Sequence, residues 1–316
     1  MLGVIEWLSL VLSVTQFIVG LLANGFIGLV NSSNWFKSKS ISLSDFLITN
    51  LAFSRVILLW IFLTDGLLIV FFYRAHDSGI MMKVIDIFWT FTNHLSIWLA
   101  TCLGVLYCLK IASFSHATFL WLKWRVSRVV VWMLLGALLF AGSSTVSLVN
   151  EFKIHSVLEE AGDSENATEL TRKKKGEYEL MHVLMALWYS PPLILSLASY
   201  VLLILSLGRH TRQMQQNGVS PRDQSTEAHK KAIRIILSFL FLFLLYFLAF
   251  LILSSSDFLP GTRVVKMIGE VITMSYPTVH SCILILGNNK LKQAFMGMLR
   301  CKSCPLKPGS KGFCFP

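Results

Sequence analysis

The 316-residue chain is 54% hydrophobic and only 14% charged, and its mean hydropathy is +0.64. A soluble domain has about a quarter of its residues charged, so this composition excludes an ordinary soluble globule as well as a disordered chain. The formal net charge of +11 would suggest a nucleic-acid partner in a soluble protein, but the positions of the charges along this chain point elsewhere and no nucleic-acid binding is predicted.

Seven apolar runs are long enough to cross a bilayer as helices, since a span needs about 20 residues. They cover 7–30, 46–72, 84–109, 129–149, 181–207, 233–256 and 264–287. None shows the alternation typical of a membrane β-barrel, and helices then satisfy the backbone in lipid. The sequence predicts an all-α membrane protein, a seven-transmembrane-helix bundle over residues 1–300, with a cytoplasmic tail at 301–316.

Basic residues are distributed unequally between the two sides of this predicted bundle. The side that holds the C-terminus carries about twice as many lysines and arginines as the other, and the positive-inside rule places the richer side in the cytoplasm. This predicts a multi-pass plasma-membrane protein with an extracellular N-terminus. Asn166 begins an Asn-Ala-Thr sequon in the longest outer loop and is the predicted glycosylation site. The basic excess also suits anionic membrane lipid or an acidic cytosolic partner, and the two can coexist.

Arg55 lies well inside the second run, where a charge is costly and is therefore a functional hypothesis. Its guanidinium needs carbonyls, amides or an acid as partners. Asn24 in the first run is a candidate. Two interpretations are open: a fixed clamp between helices, and a clamp that rearranges as a switch.

The third run is predicted to have two faces. A polar or small stripe should face the bundle, and it comprises Trp89, Thr92, Asn93, Ser96 and Ala100. The opposite face should point elsewhere, and it comprises Phe91, Leu95, Trp98, Cys102 and Leu106. Trp89 and Asn93 lie one turn apart, and an aromatic ring beside an amide suits a partly apolar ligand in an outer cavity. Alternatively, Asn93 bonds a neighbouring helix and Trp89 is an interfacial aromatic. His94 is predicted to be a packed, hydrogen-bonded histidine.

The later runs carry prolines and one acidic residue. Pro191-Pro192 is predicted to kink the fifth run and Pro277 the seventh. Glu270 lies about two turns into the seventh run; it either lines the same cavity and pairs with a cationic ligand, or is solvated near the surface. His280 and Ser281 follow Pro277 and can satisfy freed carbonyls or take part in a switch.

The segment 288–300 is amphipathic and is predicted to form a short interfacial helix. Cys301 and Cys304 form a CxxC with too few further ligands for zinc, so palmitoylation is favoured over a metal. No cofactor and no catalytic residues are predicted. A small transporter and an intramembrane enzyme are the rival classes, and the odd number of spans without repeated halves argues against the first.

Separated motifs stand in a particular order along the chain. They include Asn24-Gly25-Phe26-Ile27, Leu51-Ala52-Phe53-Ser54-Arg55, Leu106-Tyr107-Cys108-Leu109-Lys110-Ile111-Ala112 and Tyr276-Pro277-Thr278-Val279-His280-Ser281. Together they resemble the bitter taste receptors, the type 2 taste receptor family of G-protein-coupled receptors. The departures are small: Leu106 replaces a frequent phenylalanine and Thr278 a frequent serine.

The resemblance implies a receptor, not an enzyme, that detects bitter small molecules in an outer helix-bundle cavity. It implies coupling to a gustducin-type heterotrimeric G protein. It also implies ligand-binding roles for Trp89, Asn93 and Glu270. The residues that it assigns to the activation and G-protein side are Arg55, Tyr107, Lys110 and His280.

Overall fold

The computed structural model describes residues 3–39, 41–72, 80–162, 187–216, 224–254 and 262–301. Regular structure in these segments is entirely α-helical, without a strand. The helices are α1 (Val4–Ser38), α2 (Leu43–Phe71), α3 (Ile80–Ile111), α4 (Ala117–Trp124), α5 (Val126–Gly162), α6 (Ser190–Gln216), α7 (Gln224–Ser254), α8 (Thr262–Gly287) and α9 (Asn289–Cys301).

Seven of the described helices are long and apolar enough to cross a membrane, namely α1, α2, α3, α5, α6, α7 and α8. This confirms the predicted seven-helix membrane fold. Most of them extend beyond the apolar runs: the third span covers Ile80–Ile111, because polar residues at the membrane surface can continue a helix. The predicted short helix after the seventh span is also present, as α9.

The spans form a closed ring. Going around it, α1, α2, α3, α6, α7 and α8 contact one another in turn, α8 returns to α1, and α5 packs on the outside of α3. One end of the bundle, here called the Val4 end, is where α1 begins. The opposite end, called the α9 end, carries α4 and α9.

Helix α3 is the most enclosed span, and the two-face prediction for it holds only in part. The predicted bundle-facing residues Thr92, Asn93, Ser96 and Ala100 are buried and Phe91 is 38% exposed, but the prediction for the rest of the second face is wrong. Trp98, Cys102 and Leu106 were expected to face away from the bundle, but each is at most 4% exposed. The reason is that α3 contacts three spans, α2, α5 and α6. Its second face is covered by α5, where Trp98 packs against Phe140 with ring centroids 5.1 Å apart.

Local hydrogen bonds fix helix ends at the α9 end. The Ser42 hydroxyl accepts from the backbone N–H of Asp45 at 3.1 Å and caps α2. The Asn288 side chain caps α9 in the same way, accepting from the N–H of Lys290 at 3.0 Å. Lys290 Nζ then lies 2.9 Å from Asp45 Oδ2. This ion pair ties the start of α9 to the start of α2.

The prolines occupy two different positions. Pro191 and Pro192 stand in the first turn of α6, after a turn at Trp188 and Tyr189. These prolines cost α6 no hydrogen bond, because a proline in the first turn replaces an N–H that has no helical partner. Leu187, just before the turn, is helical and residues 181–186 lie outside the described segments, so the predicted kink of the fifth run stays a prediction. Pro277 does lie inside α8, three residues before His280.

Candidate functional site

Asn93 on α3 is the polar centre of the half of the bundle nearer the Val4 end, and it is 1% exposed. Its Nδ2 donates to the hydroxyl of Tyr246 at 2.7 Å and to that of Tyr189 at 3.3 Å. The Tyr246 hydroxyl lies 2.9 Å from Asn93 Oδ1 and donates to it. Since Tyr246 is on α7 and Tyr189 precedes α6, one amide joins three elements. Both polar atoms of the amide are thereby satisfied.

Trp89 covers this amide one helical turn closer to the Val4 end. It is half-buried and stacks on Phe250 of α7, with ring centroids 6.2 Å apart and an interplanar angle of 17°. On its other side it meets Phe62 of α2 edge-on at 6.5 Å. The indole therefore spans from α2 to α7 over Asn93, an aromatic surface beside a polar one.

His94 is buried next to Asn93, and its ring stacks on Tyr189 with centroids 4.0 Å apart. The prediction of a packed histidine is confirmed, but the predicted hydrogen bond is wrong: neither ring nitrogen has a partner in the described part of the chain. The indole N–H of Trp98, one turn further along α3, is likewise unpartnered there.

Glu270 on α8 is 9% exposed, so the surface-solvated interpretation does not fit. It lies in a narrow cleft between α1, α2 and α8 with a volume of only about 10 Å³, the room of about one water molecule. The other residues that line this cleft are Ser9, Leu10, Ser13, Leu63, Gly66, Leu67, Val70 and Met267. Neither Trp89 nor Asn93 is among them. The structure thus brings Trp89 and Asn93 together and places Glu270 in a separate cleft toward α1.

Arg55 on α2 is completely buried and is bonded to α8. Its Nη1 lies 2.9 Å from the Ser281 hydroxyl and 3.0 Å from Nδ1 of His280. Because a guanidinium only donates, Nδ1 of His280 accepts, which puts the imidazole proton on Nε2. These contacts are those of a clamp between two spans. Nε and Nη2 of Arg55 have no hydrogen-bond partner within the described segments.

Asn24 takes part in the clamp only indirectly. The Ser281 hydroxyl donates to Asn24 Oδ1 at 2.7 Å, and Asn24 Nδ2 donates to the carbonyl of Gly20 at 2.8 Å. The prediction of a direct bond between Asn24 and Arg55 is therefore wrong, since the hydroxyl of Ser281 stands between them. The result is a polar chain from α2 through α8 to α1.

His280 also connects the clamp to α7. Its ring stacks on Phe239 with centroids 4.3 Å apart and an interplanar angle of 28°. Tyr276, one turn earlier on α8, lies against both His280 at 5.5 Å and Tyr246 at 4.9 Å between ring centroids. Aromatic contacts therefore run without a gap from the partner of Asn93 to the partner of Arg55.

Tyr107 and Lys110 lie toward the α9 end of α3. Tyr107 is half-buried and packs against two buried apolar clusters. One cluster includes Leu106 and Leu291, and the other includes Leu109 and Leu203. Lys110 is exposed near the last turn of the helix. No hydrogen bond joins either to Arg55 or His280 in the described segments, so the structure brings together Arg55 and His280 but leaves the other two at the surface end.

Sequence reasoning missed the tyrosines that surround Asn93. Tyr246 is set in a run of leucine and phenylalanine from 239 to 250, where a phenolic hydroxyl needs a buried partner. That signal could have identified it. Tyr189 could not have been found in this way, since its position depends on the turn before α6.

Two of the predicted features lie outside the described residues. They are the sequon at Asn166 and the tail from residue 302 onward, which includes Cys304. Their glycosylation and palmitoylation stay predictions.

Comparison with known proteins decides the family. The family model described as "Taste receptor protein (TAS2R)" matches residues 1–303. The chain belongs to the type 2 taste receptor family. It is therefore a bitter taste receptor, a multi-pass G-protein-coupled receptor and not an enzyme.

Individual relatives of the receptor are similar over their whole length. Taste receptor type 2 member 3 of Pongo pygmaeus is 70% identical over 311 residues, covering 98% of this chain and 99% of the relative. The Homo sapiens protein of the same name is 69% identical and the Mus musculus one 63%, each over 312 residues and 99% of both chains. Member 3 is also the subtype that the sequence motifs most resemble.

Proposed function

We propose that this receptor detects bitter small molecules in an outer cavity around Trp89 and Asn93 and activates a gustducin-type heterotrimeric G protein. The observation that carries the proposal is the amide of Asn93, held by two tyrosine hydroxyls under an aromatic surface. A polar group of an agonist can take the place of the Tyr246 hydroxyl on this amide, while its apolar part packs against Trp89.

This exchange supplies a route for activation. In the structure the hydroxyl of Tyr246 joins α7 to α3 through Asn93. An agonist that replaces that hydroxyl releases α7 from α3. It shifts the equilibrium between the bonded and the released arrangement by the difference in its affinity for the two. Tyr276 and His280 extend the contact chain from Tyr246 to Arg55. Movement of α7 would therefore change the contacts of Arg55 with His280.

Glu270 adds a second, charge-selective part to the proposed site. Its cleft lies between α1, α2 and α8, beside rather than around Asn93. With a volume of about 10 Å³ the cleft must widen before an agonist can enter. Once it is open, a carboxylate enclosed by serines and apolar side chains favours a ligand with a protonated amine. We expect it to matter for cationic agonists only.

The orientation supports the assignment of partners. We infer an outer N-terminus and a cytoplasmic C-terminus, because the α9 end carries the larger share of the basic residues. That end then presents Tyr107, Lys110 and α4 to the G protein, and its charge also suits anionic membrane lipid. In this proposal the agonist binds near the Val4 end, and the G protein binds the opposite end of the same helix bundle.

Dose–response curves at matched surface expression test the ligand site. Asn93→Ala should raise the half-maximal concentration of polar agonists about threefold to tenfold, the equivalent of one lost hydrogen bond. Trp89→Ala should weaken most agonists, and Glu270→Gln only cationic ones. Wild-type potency for all agonist types in all three variants would place the site elsewhere. Agonist-dependent nucleotide exchange on purified gustducin, compared with another G protein, tests the coupling.

A further inference from the structure

A groove runs along the outer surface of the bundle between α7 and α8, close to the α9 end. Its volume is about 420 Å³. The residues that line it are Arg234, Leu237, Ser238, Phe241, Leu242, Val279 and Ile283. It faces away from the bundle interior and shares no residue with the proposed ligand site.

The groove has one charged end and apolar walls. Arg234 lies two residues into the sixth span, Ala232–Leu253, at the height of the membrane surface. Phe241 is two turns, or about 10 Å, deeper. The exposed fractions of Leu237, Phe241 and Val279 are 48%, 66% and 40%, so these side chains are open to whatever fills the membrane beside them.

The charge of Arg234 has no counter-ion in the described part of the chain. Asp45 is the acidic residue at this end whose side chain is described, and it is already paired with Lys290 at 2.9 Å. A second copy of the receptor is therefore a poor partner for Arg234, because among its described residues the acidic side chain at this end is already paired. A ligand with an anionic head and an apolar chain matches both the charge and the walls.

We propose that this groove is a binding site for one anionic phospholipid. Its phosphate pairs with Arg234, and one acyl chain lies along Leu237 and Phe241 toward Val279. The surrounding α9 end is basic, with exposed Lys110 and Arg128 and half-buried Lys292, which disfavours a zwitterionic head whose outer group is cationic. The lipid comes from the cytoplasmic leaflet if the proposed orientation holds, whereas the binding itself does not depend on the orientation.

The back of the groove lies next to the buried clamp. Ser238 and Val279 line the groove, and the residues that follow them, Phe239 and His280, stack on each other inside the bundle at 4.3 Å. A bound acyl chain therefore packs against the α7–α8 contact from outside. The lipid holds the two helices in the spacing that this stack requires.

Native mass spectrometry of the purified full-length receptor tests the site, with phosphatidylglycerol and phosphatidylcholine of identical acyl chains as probes. Wild type should retain the first phosphatidylglycerol at least threefold more than phosphatidylcholine. Arg234→Gln should remove this preference, and Arg128→Gln, an exposed arginine at the same end, should keep it. Leu237→Trp should fill the groove and lower retention of both lipids. Leu248→Trp, equally lipid-facing on α7 but outside the groove, should not.

Three results would overturn the proposal. If Arg234→Gln and Arg128→Gln lose the preference for phosphatidylglycerol equally, the attraction is a diffuse effect of charge. If Leu237→Trp retains both lipids as the wild type does, no acyl chain occupies the groove. If glycerol 3-phosphate displaces the bound phosphatidylglycerol, the site binds an anion and not a lipid. The readout needs neither agonist nor G protein. A failure of the proposed function, seen as absent nucleotide exchange, is thereby separate from a failure of the lipid site.

Discussion

The amide of Asn93 and the hydroxyl of Tyr246 meet through two contacts of 2.7 and 2.9 Å. They come from α3 and α7, helices that are not neighbours in the ring because α6 lies between them. Their contact therefore crosses the bundle interior. A bond in this position holds the bundle closed beneath Trp89, and breaking it is the step that an agonist would perform.

Tyr246→Phe tests whether this bond competes with the agonist. If the hydroxyl must leave Asn93 before a polar agonist binds, its removal should lower the half-maximal concentration by about threefold to tenfold. Asn93→Ala should move potency in the opposite direction. The measurement is a calcium or nucleotide-exchange dose–response with polar agonists, and Tyr189→Phe, which loses the longer 3.3 Å contact, should give a smaller shift. Potency falling in Tyr246→Phe as it does in Asn93→Ala would refute the competition.

The Arg55 clamp predicts a change in basal signalling. Arg55→Ala removes the guanidinium from Nδ1 of His280 and from the Ser281 hydroxyl, which keeps its bond to Asn24. A lost polar contact in a membrane bundle costs about 1–2 kcal/mol. That shifts the resting equilibrium about fivefold to thirtyfold without unfolding the receptor. Arg55→Lys keeps the charge but loses the planar fork and should be intermediate. Basal and maximal signalling are measured at equal surface level, and wild-type values in both variants would remove Arg55 from the mechanism.

Gly20 predicts a packing defect. A Cβ built there would lie 2.7 Å from the Thr278 hydroxyl and 2.8 Å from a methyl carbon of Leu59, so α1 touches α8 and α2 through this glycine. Gly20→Val should destabilise the receptor by about 1–3 kcal/mol, the usual effect of overpacking. Gly28→Val is the matched control, because nothing lies within 4 Å of its built Cβ. Thermal unfolding in detergent should separate the two, and equal melting temperatures would contradict the close approach.

The sequon at Asn166 predicts one glycan in the sequence segment between α5 and α6. Glycosidase treatment should increase the mobility of the wild-type band, and Asn166→Gln should abolish the shift. A second sequon, Asn31-Ser32-Ser33, also occurs in the sequence. Asn31 lies inside α1 and is 2% exposed, so Asn31→Gln should leave the shift intact. A shift that persists in Asn166→Gln would argue for the reverse orientation of the first span.

The sequence predicts well how deep a residue lies in the membrane, but it predicts poorly which neighbour its side chain faces. The seven spans follow from hydropathy, because transfer into lipid depends on the apolar length of each run. The burial of Trp98 and Leu106 does not follow, since lipid tails are as apolar as leucine and a side chain facing α5 resembles one facing the membrane. For the same reason the sequence identifies Asn24 as lying at the depth of Arg55, but it does not show that the Ser281 hydroxyl stands between the two side chains. The bond from Asn93 to a residue 153 positions away needs the folded ring of helices.

The buried guanidinium of Arg55 determines which ions the bundle can admit. Within the described residues its charge is met by neutral groups, namely a hydroxyl, an imidazole and the ring face of Tyr276, so the midpoint of the bundle is electropositive. A sodium ion that entered from the Val4 end would meet repulsion there, which is strong in a medium of low dielectric constant. Replacing sodium by a bulky organic cation at constant ionic strength should therefore leave agonist potency unchanged. We therefore expect the response to a bitter compound not to depend on the sodium salt that accompanies it.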